Sequence, residues 1–163
     1  MTKKIKPKDY WQKKRDEVKD VPKVVKIEGK MTKKWGTGTC AIPSPIEVNG
    51  YMKSVPKGKV TTINDIREVV AKKHKATMGC PITTGIFAWI SANAAEEERR
   101  EGKKRITPYW RTLKEGGKLN PKYPGGISGQ SRQLRSEGHT IKKGRGKDSA
   151  KVDDFENKKA DLK

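Results

Sequence analysis

The stretch KGKVTTINDIREVVAKKHKATMGCPITTGIFAWISANAAEEERRE, residues 57–101, decides the fold. Pro56 to Lys59 make a turn, and Val60-Thr61-Thr62 is short and β-like. Thr62 can cap a helix over Asn64 to Lys73, with Asp65 in its first turn and Lys72 and Lys73 in its last, each matching the helix dipole. Ile63, Ile66, Val69 and Val70 supply its apolar face. His74 to Gly79 breaks the pattern. Cys80-Pro81 then opens a long helix, about Ile82 to Glu101, because proline suits the first helical position. Ile82, Gly85, Ile86, Trp89, Ile90 and Asn93 lie near one face, and Glu96 to Glu101 form a solvated charged end. Two helices about a short break, the second opening on small polar residues, form a helix-turn-helix pattern.

Upstream, Ser44 can cap and Pro45 can start a helix from Ile46, with Val48, Tyr51, Met52 and Val55 on its apolar side. Trp35 to Thr39 reads as a loop. Residues 1–34 are lysine-rich, with a short helix from Pro7 to Lys19 that Tyr10, Trp11 and Val18 supply with apolar contacts. Downstream, Arg105 to Leu119 reads as a hairpin or irregular loop about Gly116-Gly117. Pro121 to Gly126 form a second loop. Ile127 to Glu137 is a helix that Gly138 can end, and His139-Thr140-Ile141 is a last strand or wing. The expected class is mainly α with minor β, a winged helix-turn-helix-like domain with a short hairpin. The expected division is a basic extension over 1–43, the domain over 44–141, and a flexible basic tail over 142–163, where apolar residues are scarce.

Charge narrows the partner. The 163 residues carry 39 Lys and Arg against 19 Asp and Glu, a formal charge of +20, with 36% charged and 31% hydrophobic residues. A compact chain this cationic repels itself unless a polyanion neutralises it. Double-stranded DNA is the expected partner, since phosphate contacts release condensed counterions. No apolar run approaches the ~18 residues a membrane span needs, and the basic start leads into no signal-type apolar segment. Two cysteines make no disulfide framework, so a reducing cytoplasm, nucleoid-associated, is the expected location. His74 and His139 offer no metal spacing with Cys40 and Cys80; neither metal nor cofactor is expected.

Three segments in this order, VPKGKVTTINDI (55–66), ITPYWRTLKEGGKL (106–119) and YPGGISGQSRQLRSEG (123–138), resemble the DNA-binding domain of methylated-DNA–protein-cysteine methyltransferases. Residues 46–141 are covered. The resemblance implies a helix-turn-helix whose second helix enters the minor groove, a base pocket closed by the third segment, and a Pro-Cys-His-Arg motif in the second. Here that motif is Pro108-Tyr109-Trp110-Arg111. Thiolate attack needs a sulfur and a base to deprotonate it; a phenol with pKa near ~10 replaces neither. Ile63 stands where a tyrosine is usual, no arginine finger is evident, and Trp89 falls near its position. The chain therefore resembles a divergent alkyltransferase-like member, binding DNA and recognising alkylated guanine without transferring the alkyl group. As a monomer, it would hand such sites to excision-repair proteins.

The resemblance places DNA contacts at Thr61, Thr62, Pro81, Thr83, Thr84 and Trp89, the threonines serving otherwise as helix caps. It places the base pocket at Tyr109, Trp110, Arg111, Tyr123, Gly125, Gly126 and Glu137. Tyr109 and Trp110 either stack on an extruded base or fill the vanished pocket as core. Arg111 is expected to be partly buried, tied to backbone carbonyls or Glu137, while Glu137 has no histidine left to orient. No catalytic residue is expected. Two alternatives remain: an active alkyltransferase using Cys80, placed at a helix N-terminus, and an interaction domain that has lost DNA binding.

Overall fold

The structure, a computed structural model, describes residues 6–17, 19–146 and 149–162; Val18, one of the apolar contacts expected of the first helix, lies outside them. In chain order the elements are α1 (Tyr10–Asp16), β1 (Lys23–Lys26), α2 (Met31–Trp35), β2 (Thr39–Ile42), α3 (Pro45–Lys53), β3 (Thr61–Thr62) and α4 (Ile63–Lys73). There follow β4 (Met78–Gly79), α5 (Pro81–Arg100), β5 (Thr112–Leu113), α6 (Gly126–Ser136), β6 (Ile141–Lys143) and β7 (Ala150–Val152). The chain is mainly α with minor β.

Local chemistry sets the central boundaries. Ser44 caps α3 through the amide of Glu47, with Pro45 at its first position. Thr62 and Asp65 form a reciprocal capping box on α4: the Asp65 amide donates to Thr62 Oγ1 at 3.1 Å and the Thr62 amide to Asp65 Oδ2 at 3.2 Å. Cys80 is the N-cap of α5, its sulfur accepting from the Thr83 amide at 3.5 Å. Helices α4 and α5 pack together about a break that also holds β4. Gly79 in β4 is obligatory, since a Cβ there would run into the backbone of Arg67 on α4.

One core joins these parts. Val48 and Met52 of α3, Ile66 and Val70 of α4, Ala88, Ala92 and Ala95 of α5, Leu113 of β5 and Leu134 of α6 are all buried in it. Each large aliphatic side chain contributes on the order of 1.5–3 kcal/mol by leaving water. The buried face of α5 differs from the apolar face expected. Thr84, Ala88, Ser91, Ala92, Ala94 and Ala95 go inside together with Ile90, whereas Ile82 and Ile86 stay exposed.

The ends are also built in. β1 pairs antiparallel with β2, and β2 runs parallel to β4, so residues 23–42 belong to a three-stranded sheet on the central unit. α1 lies on α5, where the amides of Trp11 and Gln12 donate to Glu97 at 3.0 and 2.9 Å. Glu97 is thereby engaged and not part of a free solvated end. No hairpin closes over 105–119: β5 pairs parallel with β3, and Lys118 bridges to Lys151. The expected flexible tail needs correcting for its described residues. β6 pairs antiparallel with β7, Ala150 and Val152 are buried, and the Ala160 amide donates to the Val60 carbonyl at 2.8 Å. Few apolar residues suffice there because the backbone pairs with strands already formed.

Candidate nucleic-acid interface

The segment Pro108 to Arg111 enters a 3-10 turn that drives Tyr109 and Trp110 inward. Tyr109, Trp110 and Tyr123 are only 4%, 9% and 2% exposed. Their rings meet edge to face, Tyr109 with Trp110 at 5.3 Å and with Tyr123 at 5.5 Å between centroids. The Tyr109 hydroxyl donates to Glu96 at 2.7 Å. Burial, then the Glu96 carboxylate, pushes this phenol far above its ordinary value, so it cannot serve as an anionic nucleophile near neutrality. Tyr109 and Trp110 are thus packed in the core against Tyr123.

Glu137 is the hub beneath them. Its carboxylate accepts from Trp110 Nε1 at 2.9 Å, from Arg111 Nε at 2.9 Å and from Arg111 Nη2 at 2.6 Å. Arg111 Nη1 donates to the Val55 carbonyl at 2.8 Å. Burial opposes ionisation of Glu137, but the Arg111 fork and the Trp110 N–H outweigh it and hold the carboxyl below its usual range. Glu137 therefore ties the motif to the end of α6, although no histidine is present. Gln130 extends the network, donating to the Trp110 carbonyl at 3.1 Å and accepting from the Asn120 amide at 2.7 Å. Gly125 and Gly126 take φ of +84° and +62° to turn the chain into α6; theirs is a backbone role.

The expected phosphate contacts divide. Thr61 is fully buried beside Thr112, and Thr62 is spent on its capping box. Thr84 is fully buried, its hydroxyl donating to the Cys80 carbonyl at 2.6 Å. These three hold the fold and do not face outward. Thr83 is half-buried, with a hidden hydroxyl that has no partner among the described residues. Pro81 and Trp89 are half-buried, and Trp89 also meets Trp11 edge to face at 4.7 Å. Cys80 is buried, and His74 is turned to Glu47 at 2.9 Å, so the thiol has neither access nor that base.

What α5 shows to solvent is different. Ile82 and Ile86 are 54% and 46% exposed, and a Cβ on Gly85 between them would meet nothing within 4 Å. Ile82, Gly85, Ile86 and Trp89 form one wall of an open groove of about 550 Å³. Lys114, Asn120, Pro121 and Lys122 form the other. Helical spacing puts the two isoleucines near one face with Gly85 and Trp89, but nothing in the sequence marks that face as exposed or brings the two lysines to it. The glycine was the available signal, since a helix keeping Gly among exposed apolar neighbours gives up stability without a packing reason. A larger cleft of about 800 Å³ between α3 and α4 shares no residue with α5. Among the described residues no group of three or more His, Cys, Asp or Glu could hold a metal, and no helix is long and apolar enough to cross a membrane.

No family model matches the chain, and no curated protein matches it. Among solved structures it is similar to S. pombe Atl1 in complex with damaged DNA containing O6-carboxymethylguanine. The two are 17% identical over 72% of this chain and 94% of that one, with a TM-score of 0.44. At that distance the likeness carries no function across, and the groove beside α5 must be judged on its own chemistry.

Proposed function

We propose that this protein binds double-stranded DNA through the first turns of α5, as a monomer, without drawing a base into its interior and without transferring an alkyl group. The observation that carries this is the exposed Ile82–Gly85–Ile86 face, open at Gly85 and opposed by Lys114 and Lys122. A helix with a glycine on its outer face lets a partner's backbone come close. Isoleucine tips suit the apolar walls of the deoxyriboses, and the lysines suit the phosphates that flank them. The formal charge of +20 adds a sequence-independent attraction and opposes self-association.

The packed Tyr109–Trp110–Tyr123 cluster argues against base extrusion. A flipped purine would have to displace three interlocked rings and the Glu96 and Glu137 hydrogen bonds. Fluorescence anisotropy on matched duplexes with guanine or O6-alkylguanine tests this. Nearly equal affinity for the two is the expected result. A strong preference for the alkylated duplex contradicts groove-only binding, and a methylated cysteine after incubation contradicts the absence of transfer.

A further inference from the structure

Both cysteines of the chain and two of its four methionines converge on one small cluster. Register explains how. β2 and β4 run parallel with Cys40 opposite Met78, so their side chains share a face, while Ala41 turns to the opposite face and enters the main core. Cys80 follows two residues after Met78 and returns to the Cys40 side, pinned by its amide donating to the Ala41 carbonyl at 2.9 Å. Met31 and Trp35, from the first and last positions of α2, pack against the cluster that Ile27, Cys40 and Cys80 form. Cys40 and Cys80 are both free and buried, whereas Met31 and Met78 are half-exposed and connect the cluster to solvent.

This set contains two thiols and two thioethers. Thiolate and thioether sulfur are soft, polarisable donors that offer little to magnesium or calcium; thiolates bind zinc as well as monovalent copper, but it is monovalent copper that also takes thioether sulfur and accepts as few as two thiolates. We propose that Met31, Cys40, Met78 and Cys80 form a binding site for Cu(I), with the two thiolates as principal ligands and thioether sulfur completing the coordination. On binding, two S–Cu bonds form, the two thiol protons leave to solvent, and nothing is oxidised. The resulting dithiolate–copper unit carries a single negative charge. The Arg67 guanidinium, anchored on the Gly79 carbonyl at 2.9 Å, is the nearby cation that offsets it.

The test is anaerobic titration of the reduced full chain with Cu(I), supplied as its acetonitrile complex. It is followed by ultraviolet thiolate-to-copper absorption and by tryptophan emission, which Trp35 makes sensitive to this site. The expected result is saturation at one ion per chain, resistance to a competing chelator, and loss of the absorption in Cys40→Ser and in Cys80→Ser. Met31→Leu with Met78→Leu, which keeps side-chain size, should lower affinity by roughly tenfold. That pair keeps the test decisive where a cysteine variant fails to fold, as judged by circular dichroism. Unchanged affinity in the methionine variants would overturn the proposal. So would an intramolecular disulfide formed without copper uptake, or the absence of saturable binding; either leaves the four sulfurs as apolar filling only.

Discussion

At the residue scale the decisive group is Glu137. Its side chain is 6% exposed and that of Arg111 13%, so the pair is dry, and each partner is costly to leave alone. Glu137→Ala should lower unfolding free energy by roughly 3 to 5 kcal/mol, measured by urea denaturation, because it strands the guanidinium and the Trp110 N–H. A loss below about 1 kcal/mol would mean the hub is ornamental. His139 gives a separate pH signature. It is buried, and neither ring nitrogen has a partner among the described residues. Burial, then the charges of Lys158 and Arg111, outweigh the pull of Glu137 and hold it below its ordinary 6.5. A base with a depressed folded value stabilises the fold fully above its unfolded value, and that contribution drains away as pH falls below about 6.5. His139→Phe should therefore lose less stability than the parent between pH 7.5 and 5.5, and an identical loss would contradict the assignment. The resemblance read in the sequence groups Tyr109, Trp110, Arg111 and Glu137 as one constellation. The tie of Arg111 to Glu137 and to a backbone carbonyl was legible there; the Trp110 Nε1 donor that takes the place of a histidine was not, because it reaches Glu137 only once the end of α6 is folded against the motif.

At the scale of the element, α5 separates what periodicity can tell from what it cannot. Its start was legible, because Cys80-Pro81 marks a boundary in the sequence itself, and so was the Thr62 cap of α4. Its buried face was not. Close packing against α3 and α4 admits alanine, serine and threonine there, which leaves the isoleucines outside and inverts the usual pattern. Gly85 tests whether that exposed face serves a partner. Gly85→Ala should raise stability by up to about 1 kcal/mol, read as a higher melting temperature, because the helix gains propensity and the new Cβ meets nothing. A bulkier Gly85→Leu should keep the fold and weaken duplex binding in the anisotropy assay. Unchanged binding in Gly85→Leu would show that nothing approaches the helix there.

At the scale of the whole molecule, the succession of helix and turn signals pointed correctly to a mainly α chain with minor β, while composition misjudged the ends. Lysine-rich segments look unstructured because their few apolar residues are spaced singly. Here Ala150 and Val152 enter the core by lying on a strand, and Phe155 packs over Gly117. Removing residues 145–163 should uncover Val60 and Leu119 and lower the melting temperature by several degrees, since about 1 kcal/mol moves a domain of this size by roughly 2–8 °C. An unchanged melting temperature would mean that those strands contribute nothing. The positive charge, in contrast, is distributed over the chain, and only its placement at Lys114 and Lys122 is specific to the groove.

The most direct measurement is therefore the salt dependence of duplex affinity for the parent chain and for Lys114→Ala with Lys122→Ala. Each lysine that meets a phosphate adds nearly one unit to the slope of log affinity against log salt. The paired substitution should lower affinity for every duplex sequence alike and reduce that slope by about two units. A slope and affinity equal to the parent's would place the DNA elsewhere on the cationic surface and contradict binding along α5.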